Sequence, residues 1–124
     1  MTLSVDVFRV DEDGRAHVQK MPEGGSDVAG AESWRTAVWV FEAVRSLGAR
    51  FFPLLATGHL VAQPDEVSCL LDECGLQRRN LALITRGTAQ GVGPDSLRAI
   101  GDRLANVEDA CRRALAIGGG VLVW

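Results

Sequence analysis

The sequence predicts an α+β fold: a small antiparallel or mixed sheet, made of an N-terminal hairpin and a C-terminal strand, packed against three to four helices. Three observations carry this. Residues 3–10, LSVDVFRV, put Leu3, Val5 and Val7 on one side and Ser4 and Asp6 on the other, as a half-buried strand does. Leu97, Ile100, Leu104, Val107, Cys111 and Ala114 recur at the spacing of one helix face. The chain closes on Gly118-Gly119-Gly120 followed by the β-rich stretch Val121 to Trp124.

Taken in order, Asp11-Glu12-Asp13-Gly14 supplies turn chemistry after the first strand, with Gly14 free to take positive φ. Residues 15–21, RAHVQKM, then alternate again, Ala16 and Val18 against Arg15, His17 and Gln19, which completes a hairpin. Pro22-Glu23-Gly24-Gly25-Ser26 opens a loop that extends to about Glu32. Ser33 is an N-cap for a helix over residues 34–47 that stops at Gly48, a suitable C′ residue. Its apolar face holds Trp34, Ala37, Val40, Phe41, Val44 and Leu47, while Arg35, Glu42 and Ser46 share the opposite face with Trp39.

Pro53 and Gly58 interrupt residues 49–62, which reads as a buried connector with a short strand near His59 to Ala62. Pro64 sits at a first helical position with Asp65 and Glu66 in the first turn, and Val67, Leu70, Leu71, Cys74, Leu81 and Ile84 continue the apolar stripe. Gly75 is a point where this element bends or breaks. Residues 86–93, RGTAQGVG, form a second loop, and Pro94-Asp95-Ser96 opens the last helix. Arg98 with Asp102, Glu108 with Arg112 and Asp109 with Arg113 stand four apart and read as its solvated face.

The closing glycines do not form a phosphate loop. Such a loop needs a strand before it and a helix N-terminus after it, so that backbone N–H groups point at the anion. Here the glycines follow a helix C-terminus, whose partial charge is negative, and precede a strand. Gly118 is the helix C′ residue, Gly119 and Gly120 a tight turn, and Val121 to Trp124 a strand beside the hairpin.

A length of 124 residues suits one domain spanning 1–124, and 47% hydrophobic with 23% charged residues is a globular balance that argues against disorder. A net charge of −3 gives no basic field for a phosphate backbone, so no nucleic-acid partner is expected. Without an apolar run of about 18 residues or a signal-peptide pattern, the reading is cytoplasmic with no membrane partner. The three cysteines, Cys69, Cys74 and Cys111, are expected as reduced, buried thiols.

No catalytic constellation emerges, and no cofactor is implied. Cys69 and Cys74 stand five apart, which on a helix separates them by about 140°, and His17 and His59 lie far away, so no metal site is expected. The two histidines have no nucleophile in a recognisable context, and the acid pairs Asp65-Glu66, Asp72-Glu73 and Glu108-Asp109 are adjacent in sequence and diverge on a helix. The chain therefore reads as a non-catalytic module.

Its candidate partner surface is Trp39 with Arg35, Glu42 and Ser46, because tryptophan and arginine are enriched where proteins anchor one another. The alternative is that Trp39 is core beneath the glycine-rich loop. A second hypothesis is a small-ligand binder or modest enzyme, with a pocket between sheet and helices lined by Trp34, Phe51 and Phe52 and with Arg50 and His59 as polar contacts. A third is a structural homodimer paired through the apolar final strand.

The hairpin start VDVFRVDEDG, the helix SWRTAVWVFEAVRSLG and the closing ANVEDACRRALAIGGGVLVW resemble small single-domain proteins of GC-rich bacteria. An acidic domain of this size is also loosely similar to immunity proteins, which neutralise a toxin by binding it. That resemblance implies a protein partner and assigns no residue to it.

Overall fold

The protein is described here by a computed structural model, over residues 2–22, 25–31, 45–81 and 94–124. Its centre is β1 (Thr2–Val10), the strand that the alternation at residues 3–10 predicts. One side of β1 pairs antiparallel with β5 (Gly120–Val123), with Val5 opposite Val123 and Phe8 opposite Gly120. The other side is shared, β2 (Ala16–Val18) pairing with its C-terminal end and β3 (Val28–Ala31) with its N-terminal end. The short β4 (Leu60–Ala62) lies outside β5, Leu60 opposite Val123, to complete a five-stranded antiparallel sheet.

The hairpin turn forms as its residues dictate. Asp11 Oδ1 accepts the backbone N–H groups of Asp13 at 3.0 Å and Arg15 at 2.9 Å, and Gly14 adopts φ 81°. β3 falls inside the stretch that the sequence assigns to a loop. Glycine and serine around it carry turn signals, and its pairing with β1 slips register at Leu3/Ser4, so no clean alternation marks it. Asn106 holds it from the helical layer, donating from Nδ2 to the Val28 carbonyl at 2.8 Å.

Two α-helices and a 3-10 turn stand among the described residues, rather than the three to four helices expected. Of the expected helix over 34–47, Arg45 and Ser46 are described and helical, and Gly48 follows at φ 85°, as a C′ glycine should. The first full helix, α1 (Val67–Arg78), begins later than Pro64. Residues 64–66 form a turn, in which the Gln63 N–H donates to Glu66 Oε1 at 3.0 Å, and Glu66 becomes the N-cap. Gly75 does not break the helix.

The second helix, α2 (Pro94–Ile117), is the one that the apolar spacing predicts, and Ile100, Leu104, Val107, Cys111 and Ala114 are all fully buried. They pack on Leu3, Val5 and Val7 of β1 and on Val121 and Val123 of β5, with α1 alongside contributing Leu70 and Cys74. Each buried valine, leucine or isoleucine among them stabilises the fold by roughly 1.5–3 kcal/mol relative to exposure.

The helix ends in a Schellman turn. Gly119 N–H donates to the Ala114 carbonyl at 2.8 Å, Gly118 N–H donates to Leu115, and Gly118 has φ 67°. The next two glycines are there for space. A Cβ on Gly119 would strike the Phe8 backbone, and one on Gly120 would strike the Phe8 ring and lie 2.5 Å from the Ala62 carbonyl oxygen. The strand that follows lies between β1 and β4, so both its edges are paired. The expected route to a homodimer through this strand is therefore closed.

Candidate functional site

The helices cover one face of the sheet. Alternation buries Leu3, Val5, Val7, Leu60, Ala62, Val121 and Val123 beneath them and turns the intervening side chains to the opposite face. On that second face Val61 lies beside Leu122, which lies beside Asp6, and Val18 lies beside Phe8. Several of these are large apolar groups in water: Val10 is 46% exposed, Val18 59%, Val61 39% and Trp124 52%. The indole of Trp124 is fixed across the face, donating from Nε1 to Asp6 Oδ2 at 2.6 Å. The Phe8 ring lies in the space left open by Gly120 and is itself buried. No described helix packs on this face. Beyond it the hairpin tip presents Asp11, Glu12 and Asp13 to solvent.

A second feature is a polar cleft of about 610 Å³ where α1 meets α2. Arg78 and Arg79 come from the end of α1, and Glu108 and Arg112 from the middle of α2. The Glu108 carboxylate is buried, and its Oε2 accepts from Arg78 Nη1 at 2.7 Å and from Arg112 Nη2 at 3.5 Å. Glu108 is thus not part of a solvated face. It stands four residues after Leu104 and three before Cys111, on the border of the apolar stripe, and α1 covers it. Asp109 and Arg113 do pair at the surface, at 3.0 Å.

Only some of the sequence-predicted site residues are described. Trp34, Arg35, Trp39 and Glu42 lie outside the described residues, and Ser46 is exposed at the end of the helical turn before Gly48. Phe51 and Phe52 are buried in the core, whereas Arg50 and His59 are exposed. The Arg50 guanidinium carbon sits 5.6 Å from the Phe51 ring centroid. What gathers residues 50–52 is Glu73, which the sequence offers only as half of the adjacent pair Asp72-Glu73. Its buried carboxylate accepts the backbone N–H groups of Arg50 at 2.5 Å, Phe51 at 3.1 Å and Phe52 at 3.0 Å. The signal was available, since Glu73 lies three residues after the buried Leu70 and four before the buried Gln77.

His17 lies on the polar side of its strand and pairs with Asp11 at 2.7 Å, both exposed. The hydrogen bond from His17, helped by the Arg15 N–H, holds the Asp11 carboxyl below its ordinary value of 3.8. Cys74 and Cys111 are buried, but Cys69 is exposed, a correction to the expectation of three buried thiols. The hydrogen bond with Cys111, and then burial, push the Cys74 thiol well above its ordinary value of 9.0. Among the described residues no group of three or more His, Cys, Asp and Glu side chains is placed to hold a metal ion, and no helix is long and apolar enough to cross a membrane.

Comparison of the chain with protein families, with curated proteins and with solved structures gives no match.

Proposed function

We propose that the chain is a non-catalytic interaction module that binds another protein in the bacterial cytoplasm, and that the sheet face on which no described helix packs is its contact surface. One observation carries the reading: Val10, Val18, Val61 and Trp124 stand exposed on one face, Val61 beside the half-buried Leu122 and Val10 and Val18 toward the hairpin end. Several exposed apolar side chains on one sheet face, with a tryptophan at its margin, suit a protein interface better than open water. The partner that fits presents an apolar patch flanked by arginine or lysine, because Asp6 lies within the face, Asp11, Glu12 and Asp13 project beside it, and the chain carries a net charge of −3. An immunity-type role, neutralising a toxin by covering its surface, is one form of this activity.

The other candidate surface is the one read from the sequence alone, Trp39 with Arg35, Glu42 and Ser46. The two surfaces are told apart by capture of a partner from native lysate with wild-type protein, with Val18→Glu/Val61→Glu and with Trp39→Ala. A protein retained by wild type and Trp39→Ala but lost by the double variant supports the sheet face. Loss in Trp39→Ala alone moves the surface to Trp39 and its sequence neighbours, and retention by both variants refutes both placements.

A further inference from the structure

The cleft between α1 and α2 is separate from the sheet face and has its own chemistry. Three guanidinium groups, of Arg78, Arg79 and Arg112, meet two carboxylates there, of Asp72 and Glu108, so the cleft is locally positive on an acidic chain. Glu108 is the organising group. Its side chain is 5% exposed, and one of its oxygens receives an N–H from each of two arginines that come from different helices. A buried carboxylate in this position holds Arg78, and more loosely Arg112, at the cleft, and their charges offset its own. Each guanidinium has five N–H donors, so both retain donors for a further acceptor. Arg79 makes no ion pair among the described residues. The cleft volume lies within the range of small-molecule sites, and Leu71 and Leu81 add apolar wall beside the arginines.

We infer that this cleft binds a small phosphate monoester, the phosphoryl oxygens taken by Arg78, Arg79 and Arg112 and the organic part laid against Leu71 and Leu81. A phosphoryl group fits because its terminal oxygens can each accept from a different guanidinium, and arginine forks match that geometry. Glu108 is a positioning residue that holds two of the forks in place and does not itself contact the ligand. Asp72, at the rim, opposes more highly charged polyphosphates.

The test is titration of inorganic phosphate and of phenyl phosphate, in low-salt buffer free of other oxyanions, followed by amide and arginine side-chain NMR shifts. Saturable shifts at Gly75, Arg78, Arg79 and Arg112 are expected, with phenyl phosphate binding more tightly than phosphate. Arg79→Gln and Arg112→Gln should each weaken binding about tenfold, the loss of one charge-assisted contact. Arg98→Gln, on an exposed part of α2 outside the cleft, should change nothing. Shifts that grow linearly without saturation, or equal affinity in wild type and Arg79→Gln, would overturn the proposal. Equal binding of phosphate and phenyl phosphate would overturn the assignment of a monoester. Arg79→Gln leaves the Glu108 ion pairs intact, so its effect is read on a folded protein, as retention of the wild-type melting temperature will show.

Discussion

Replacing Glu73 by alanine should cost about 3 kcal/mol of stability, although Glu73 is only one carboxylate on a helix rich in surface charge. The 3-10 turn Phe52–Ala56 begins with backbone donors that no residue of the turn can satisfy. Pro53, which has no N–H, removes one of them, and Glu73 accepts those of Arg50, Phe51 and Phe52. Arg50 is exposed, so water can take its donor once the carboxylate is gone. Phe51 and Phe52 are buried, and each stranded N–H costs roughly 1–3 kcal/mol. The two together give about 2–6 kcal/mol, and relaxation of the turn brings the figure toward the lower half. Glu73→Gln keeps one acceptor oxygen and loses the charge, so about half the alanine effect is expected. Urea unfolding followed by circular dichroism measures both, and in a domain of this size about 3 kcal/mol corresponds to a fall in Tm of roughly 10 °C. A change below about 0.5 kcal/mol for Glu73→Ala, the range of an ordinary surface substitution, would refute the reasoning.

Gly120→Ala should destabilise by about 2–4 kcal/mol and expose the Phe8 ring, read as increased dye binding, because the new methyl and the ring require the same space. Gln77 is fully buried with neither amide atom hydrogen-bonded among the described residues, so Gln77→Met should raise stability by about 1–2 kcal/mol in the same urea assay. A thiol reagent should label one cysteine, Cys69, in the native protein and all three in denaturant; rapid native labelling of Cys74 would contradict its burial. The Cys74 thiol has a raised value in the fold, so its contribution to stability is complete below pH 9.0 and declines as pH rises beyond it. Cys74→Ala should flatten that decline.

Local chemistry made much of the fold legible. Alternation in β1, the apolar spacing of α2, the Asp-Gly turn of the hairpin and Gly118 as a helix stop are each decided within a few residues, by side-chain periodicity or by positive φ. β3 could not be read in the same way, because its hydrogen bonds go to β1 through a shifted register and its carbonyl anchor, Asn106, is 78 residues away. Glu73 and Glu108 look like neighbouring helix charges in sequence. Only the packing of α1 on α2 and on the 3-10 turn buries them and assigns them partners 21 to 30 residues distant.

The candidate surfaces follow the same division. The sequence by itself determined which side chains of each strand share a face, and so that Val10 could not point with Val7, because a strand's period is two whatever surrounds it. Which face the two described helices cover was decided by tertiary structure. The crossing from α2 through Gly118 into a central strand places both helices on the side of Val121 and Val123 and leaves Val61, Leu122 and Trp124 on the other.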